Sequence, residues 1–162
     1  MPTLERLRAD HAEALLAFER ENRAWFARTV ADRGDAYFAH FADRLDALLA
    51  EQEAGVCHFH VVRGDGGEIA ARVNLVDVTD GSAELGYRVA ERYAGRGLAT
   101  ASVRELCRTA AEQYGLRALT ATADEDNLAS RRVLERCGFT VTGRFLLDGR
   151  PVVGHHRALE GN

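Results

Sequence analysis

The stretch Tyr93-Ala-Gly-Arg-Gly-Leu-Ala-Thr100 decides the fold of this chain, because it joins a strand pattern to a helix pattern through two glycines. An apolar run at residues 85–90 precedes it, and an amphipathic pattern begins at about Leu98. Glycine lets the backbone approach a ligand closely and adopt a positive φ. The unpaired N–H groups of a first helical turn point outward, and the helix dipole favours negative charge there. The stretch therefore predicts a site for a phosphate-bearing ligand.

Length and composition are typical of one globular domain. With 162 residues, of which 46% are hydrophobic and 28% charged, we expect a single domain over residues 1–162. A net charge of −4 disfavours general nucleic-acid binding. We find no long apolar run and no signal-peptide pattern, so we expect a cytoplasmic protein that does not bind membranes. The chain has three cysteines that lie far apart in sequence, Cys57, Cys107 and Cys137. An odd number without regular spacing favours buried, reduced thiols over disulfide bonds.

The hydrophobic periodicity changes twice along the chain. It predicts a helix over residues 11–26 with a break at Asn22, and a second helix that follows an N-cap at Asp35 and ends before Gly55. Alternating patterns separated by turn residues then predict strands at 56–63, 68–78 and 83–90. Beyond the glycine-rich stretch, the same signals predict a helix at 98–114, a strand at 116–123, a helix at 128–136, and strands at 139–147 and 152–159 around a turn at 148–151.

This order of elements predicts a mixed α/β sheet. Two segments resemble GNAT-fold N-acetyltransferases, of the RimJ/RimL-like branch that acetylates protein N-terminal amines. One is Glu84-Leu-Gly-Tyr-Arg-Val89 running into Gly95-Arg96-Gly97-Leu98-Ala99-Thr100, and the other is Asn127-Leu-Ala-Ser130-Arg-Arg-Val-Leu134-Glu-Arg-Cys-Gly138-Phe139. With the strand order, they cover about residues 56–160. The resemblance implies an α/β GNAT fold, with a mostly antiparallel central sheet flanked by helices and splayed at an acetyl-CoA site.

The resemblance also implies how acetyl-CoA, the expected co-substrate, would bind. The backbone of Val89 and Ala90 would hold the pantetheine arm, and Asn127 would contact the cofactor as well as cap its helix. The loop amides would hold the diphosphate, and they belong to Gly95, Arg96, Gly97, Leu98, Ala99 and Thr100. Ala94 stands where the family usually has Gln or Arg. A register that begins at Arg92 restores an Arg but misplaces the helix start.

Two residues are candidates for the chemistry that the resemblance implies. Glu84 lies where the family often has a Glu and would act as a base, through water; the alternative is a solvated carboxylate at a strand end. Many members place a Tyr acid at the position of Leu134, so this acid is absent here. Ser130 would replace it as proton donor to the thiolate, and helix capping is its alternative role. A thiolate also leaves unassisted.

The acceptor is expected to be a primary amine. An α-amine is about a quarter neutral at pH 7.5, whereas a lysine amine is about 0.1% neutral, so a protein N-terminus needs little help from a base. A small-molecule amine such as an aminoglycoside or polyamine is the alternative acceptor, and a non-catalytic acyl-CoA-binding module is the alternative class. Members of the family often form dimers, so the resemblance also implies a homodimer.

Aromatic and histidine residues leave further alternatives open. Aromatic residues near the first helices either line an acceptor groove or pack in the core, and they are Trp25, Phe26, Tyr37 and Phe38. Cys57, His58 and His60 lack a second ligand pair, so we expect no metal. His155 and His156 point to opposite faces of a terminal strand, where one could line the acceptor pocket or serve the structure.

Overall fold

One seven-stranded sheet organises the molecule, in a computed structural model that describes residues 2–160. The strands lie in the order β1-β2-β3-β4-β5-β7-β6. Their bounds are Glu5–Arg6 (β1), His58–Arg63 (β2), Ile69–Thr79 (β3), Ser82–Val89 (β4), Ala118–Asp124 (β5), Thr140–Leu147 (β6) and Arg150–Ala158 (β7). Neighbouring strands run antiparallel except β4 and β5, which run parallel.

Six α-helices of the described residues cover the two faces of this sheet. They span Ala12–Glu21 (α1), Arg23–Phe26 (α2), Asp35–Ala39 (α3), Phe41–Glu53 (α4), Leu98–Glu112 (α5) and Leu128–Arg136 (α6). The apolar side chains of α1 to α4 form one buried cluster with β2 and β3, and those of α5 and α6 form another with β3, β4 and β5. We call these the α1 face and the α5 face. No helix within residues 2–160 is both long and apolar enough to cross a membrane.

The predicted mixed, mostly antiparallel sheet flanked by helices is confirmed, and so is the break at Asn22, which separates α1 from α2. The Cys57, Cys107 and Cys137 thiols are buried and free, as predicted. Asn127 caps α6, because its side-chain oxygen accepts a hydrogen bond from the Ser130 N–H.

Several boundaries were predicted wrongly. Gly34, not Asp35, is the N-cap of α3, and Asp35 instead binds Arg23 through its carboxylate. The single helix predicted after it is interrupted at His40. Pro151 belongs to β7, because Asp148 and Gly149 alone make the turn with positive φ angles. Sequence analysis missed β1, whose two residues take their strand form by pairing with β2.

A buried carboxylate ties α1 to the sheet. Glu19 is 1% exposed and accepts hydrogen bonds from Arg33 on one oxygen and from Arg72 on the other, each at 2.8 Å. Arg88 of β4 donates to it at 3.2 Å. Burial by itself would raise the pKa of Glu19, but these guanidiniums hold it below its ordinary value. Glu19 therefore stays ionised and joins three separate parts of the chain.

Replacing Glu19 by Gln should destabilise the fold. Arg72 is 3% exposed and would lose its counter-charge, so we expect a loss of about 3 kcal/mol, at the low end for a broken buried pair because Arg33 and Arg88 reach solvent. A lowered carboxyl pKa stabilises the fold above the ordinary value of 4.5, and that stabilisation is lost as the pH falls through the folded-state value. Urea unfolding between pH 3 and 7 measures both effects.

The exposed Glu21 at the end of the same helix supplies the control, since Glu21→Gln removes a carboxylate without a buried partner. Equal unfolding free energies for the two variants would contradict the role assigned to Glu19.

Candidate functional site

A gap opens in the middle of the sheet between β4 and β5. These strands pair only at Ser82–Ala118, Ala83–Leu119 and Glu84–Thr120, although β4 continues for five more residues, to Val89. Beyond Glu84, β4 pairs with β3 in regular register up to Val89. The splayed sheet that the family resemblance implied is therefore present. The strands separate because β5 diverges from β4, while β4 itself remains regularly paired with β3.

Backbone groups of β4 face this gap. The Ala90 N–H donates to the Ala70 carbonyl, so Val89 and Tyr87, at alternate positions, direct their N–H and C=O groups away from β3. The Val89 carbonyl accepts a hydrogen bond of 3.2 Å from the Trp25 indole. Ala90 uses both of its groups internally, because its carbonyl also accepts from the Tyr93 N–H. The free donors beside the gap thus belong to Tyr87 and Val89.

The glycine loop lies at the end of β4 and leads directly into α5. Gly95 and Gly97 have φ angles of 74° and 79°, and a Cβ on either would meet no atom within 4 Å. The first helical bond runs from the Ala101 N–H to the Gly97 carbonyl, and no backbone acceptor within residues 2–160 meets the amides of 95–100. Six consecutive N–H groups are therefore available where the helix dipole is positive.

Arg96 is exposed in this loop and its guanidinium lies over the Tyr93 ring. A cavity of about 530 Å³ reaches Arg96, Gly97 and Leu98, but it extends toward β2 and β3 and away from the gap. Ala99 and Thr100 are half-buried in the first turn of α5.

Glu84 and Arg88 share the α1 face of β4 with Gly86 between them. The pairing of Arg72 with Arg88 fixes this face, since both side chains reach Glu19 of α1. Glu84 is half-buried, and no other side chain within residues 2–160 bonds to its carboxylate. Burial and the nearby Asp77 carboxylate raise the pKa of Glu84. Gly86 is exposed with open space above it, so the surface between Glu84 and Arg88 is accessible.

Ser130 lies on the opposite, α5 face and is connected to β4 by Tyr87. The Tyr87 hydroxyl donates a hydrogen bond of 3.1 Å to the Ser130 Oγ, and burial raises the pKa of Tyr87. This pair spans from β4 to the first turn of α6, beside the gap. Sequence analysis did not single out Tyr87; its position two residues after Leu85, on the same face of the strand, was the available signal. Leu134 is a core residue, 1% exposed.

Most of the remaining predicted residues are buried in the core or pack against it. Phe26 and Tyr37 are buried in the α1-face cluster, with Trp25 and Phe38 packed against it. His60 is buried between the Val73 carbonyl and the Tyr114 hydroxyl, and burial lowers its pKa to about 4.

His155 is buried on the α5 face of β7, while His156 pairs with the exposed Thr120. Within residues 2–160, no three His, Cys, Asp or Glu side chains group together in a way that could hold a metal ion.

A parallel strand pair that separates beside a glycine loop and a helix start is the arrangement that the sequence resemblance implied. Residues 3–140 match the acetyltransferase (GNAT) domain family. The chain belongs to the GNAT acetyltransferase family. The match covers the gap, the loop and all of α6, and it ends where β6 begins, so β7 lies outside it.

Individual relatives agree with this assignment. The chain is similar to the "Putative ribosomal N-acetyltransferase YdaF" of Bacillus subtilis (strain 168), at 35% identity over 95 residues, 57% of this chain and 51% of YdaF. The match thus spans about half the length of that relative.

Solved structures share the fold at lower identity. The ribosomal-protein-S5-alanine acetyltransferase from Vibrio fischeri has a TM-score of 0.88 at 18% identity, covering 96% of this chain and 91% of that one. RimJ of Mycobacterium smegmatis, in complex with CoA-disulfide, has a TM-score of 0.85 at 24% identity, covering 96% and 80%. Proteins of this fold therefore include one that holds CoA.

The loop geometry predicts that Gly97→Ala weakens the binding of acetyl-CoA. An added Cβ would lie in the open space that a diphosphate needs, and a positive φ costs a non-glycine residue roughly 1–2 kcal/mol. We expect the dissociation constant to rise by about tenfold, which calorimetric titration with acetyl-CoA would measure.

Gly55 is a matched control, because its φ is 77° and a Cβ there also meets nothing within 4 Å. Both variants should lower the melting temperature by a similar amount, but Gly55→Ala should leave the affinity for acetyl-CoA unchanged. Equal affinities in the two variants would show that the loop does not receive the cofactor.

Proposed function

We propose that this protein transfers an acetyl group from acetyl-CoA to the α-amine at the N-terminus of a protein. The observation that carries the proposal is the gap between β4 and β5, along which β4 runs for five residues without pairing to β5. The glycine loop and Ser130 lie at one side of it, and Glu84 lies on the other face. A thioester placed in the gap would be accessible to an amine arriving from the α1 face.

The free amides of residues 95–100 are suited to the diphosphate of acetyl-CoA, since several N–H groups converge at a helix N-terminus. Because these contacts come from the backbone, Ala94 in place of Gln or Arg removes one side chain and leaves the cradle intact. Arg96 is exposed beside it and would add a charge-assisted contact. Asn127 already bonds to the Ser130 N–H, so its part in cofactor binding would be to position the start of α6.

The pantetheine arm would lie along the free side of β4. Its amide groups can pair with the Val89 N–H in the manner of an added strand. Ala90 has no free backbone donor, so we assign it no contact there. Trp25 closes this end of the gap at the Val89 carbonyl, which retains a second lone pair for the cofactor.

In the reaction, the neutral amine nitrogen would attack the thioester carbon and form a tetrahedral intermediate. The Tyr87 or Val89 N–H, free beside the gap, would stabilise the oxyanion. Glu84 would accept the amine proton through a water molecule, because its carboxylate has no competing cation. The carbon–sulfur bond then breaks and the amide product forms.

The leaving thiolate would take a proton from Ser130. The Ser130 Oγ accepts a hydrogen bond from Tyr87, which leaves the seryl hydrogen free to point into the gap. Tyr87 would in this way orient Ser130, and its own proton could follow. The pair supplies a hydroxyl beside the gap, although Leu134 replaces the tyrosine of other members.

The proposal is tested with acetyl-CoA and peptides that have free or blocked N-termini, by following thiol release. We expect acetylation of the free α-amine only. Glu84→Gln should lower kcat/KM by about 100-fold, at the low end for general-base catalysis because an α-amine is already partly neutral. Glu53→Gln, at the exposed end of α4, should not change it. Acetyl-CoA binding without turnover on any amine would refute an enzymatic role.

The pH profile gives a separate prediction for Glu84. Since both Glu84 and the amine must lose a proton, log kcat/KM should rise with a slope of about two at low pH, and with a slope of about one in Glu84→Gln. Asp77 contributes to the raised pKa of Glu84, so Asp77→Asn should move the Glu84 limb to lower pH. Asn tolerates the φ of 53° at this position. An unchanged limb in Asp77→Asn would exclude Glu84 as the group titrated.

A further inference from the structure

The α1 face beside Glu84 carries an excess of positive charge. Arg33, Arg72 and Arg88 converge on the single carboxylate of Glu19; we call these four residues the arginine cluster. One carboxylate compensates one guanidinium, so two positive charges remain within the cluster. The nearby Asp32 and Asp35 contact Arg23 instead, through hydrogen bonds of 2.7 to 2.9 Å.

Two members of the arginine cluster are accessible to a ligand. The side chains of Arg33 and Arg88 are 28% and 20% exposed, whereas Arg72 is buried. Arg33 packs on the Tyr37 ring and Arg88 on the Phe26 ring, so both guanidiniums are held in place by aromatic faces. Burial and the neighbouring Arg33 lower the pKa of Arg88 to about 10.

The position of the cluster relates it to the proposed reaction. Arg88 and Glu84 lie on the same face of β4, four residues apart, so their Cα atoms are separated by about 13 Å. The exposed Gly86 between them leaves the intervening surface open. An acceptor whose amine reaches the gap near Glu84 would extend its next atoms toward Arg88.

We infer that the acceptor carries a carboxylate one or two residues from its reactive amine, and that Arg88 and Arg33 bind it. The inference rests on the proposed function and adds the substrate class. The spacing fits an acidic side chain near a peptide N-terminus better than the α-carboxylate of a free amino acid, which lies directly beside its amine. A polyamine, with positive charge along its length, would be repelled from the same surface.

The inference is tested with three peptides that differ only at their second residue. Their N-terminal sequences are Ser-Glu, Ser-Gln and Ser-Lys, and free glutamate is the fourth acceptor. We expect kcat/KM to fall by about tenfold from Glu to Gln and further to Lys, mainly through KM, because a charge-assisted hydrogen bond is lost. Raising the salt concentration should reduce the preference. Arg33→Gln should bring the Glu and Gln peptides close to equal rates.

Arg8→Gln is the matched control, since Arg8 also pairs with carboxylates but lies next to β1, three strands away from β4. It should keep the full preference for Glu, and thermal unfolding would show that both variants remain folded.

Equal rates on the three peptides, or a preference for Lys, would overturn the inference and leave N-terminal acetylation standing. Faster acetylation of free glutamate than of any peptide would assign the carboxylate to a free amino acid and refute the peptide spacing. No turnover on any acceptor would remove the proposed function and the inference together. A preference for Glu that Arg33→Gln leaves unchanged would refute the role of the arginine cluster.

Discussion

The site depends on the short parallel ladder between β4 and β5. Three residue pairs, from Ser82–Ala118 to Glu84–Thr120, hold the two halves of the sheet together, and β4 then continues without its neighbour. Buried N–H and C=O groups without partners are costly, so a sheet rarely separates in its middle. Here the exposed groups are limited to one side of a few residues, and the regular register with β3 keeps the other side of the strand fully paired.

Packing on the α5 face holds the two halves of the sheet together where the ladder ends, and contacts on the α1 face brace the half that contains β3 and β4. On the α5 face, Leu106, Leu119 and Leu134 join α5, β5 and α6 in one buried cluster with β3 and β4. On the α1 face, Glu19 connects α1 with both β3 and β4 through Arg72 and Arg88. A tightly packed interior resists deformation, so the α5-face cluster, which contains residues from both sides of the gap, can fix the width that backbone pairing leaves open. The opening is therefore built into the fold and does not need a ligand to form.

Much of the fold was readable from the sequence because local signals set it. Turn glycines and changes of hydrophobic period mark nearly every strand and helix, and Asn127 caps α6 as expected. β1 carried no such signal, since two residues have no period and take their form from β2.

The sequence predicted residues of the candidate site only where those residues belong to a motif. The glycine loop and Glu84 could be located in this way. Tyr87 and the arginine cluster could not, because their partners are 14 to 69 residues away in sequence. Long-range polar contacts follow from how the helices pack on the sheet, and no local pattern encodes that packing.

The α1 face of β4 carries two groups with different parts in the proposed reaction. A base must be unprotonated to accept the amine proton. Burial and the nearby Asp77 carboxylate raise the pKa of Glu84 above its ordinary value, so its basicity increases. A nearby guanidinium would lower that pKa, but Arg88, the member of the arginine cluster on β4, is four residues along the strand and is already bound to Glu19.

Glu19 therefore has a second consequence besides joining α1 to the sheet. By compensating part of the positive charge, it allows guanidiniums and an unpaired carboxylate to share one face of a strand without forming an ion pair with each other. Such an ion pair would hold Glu84 in its charged, weakly basic form. The separation of the two groups keeps a proton acceptor at one end of the accessible surface and an anion-binding group at the other.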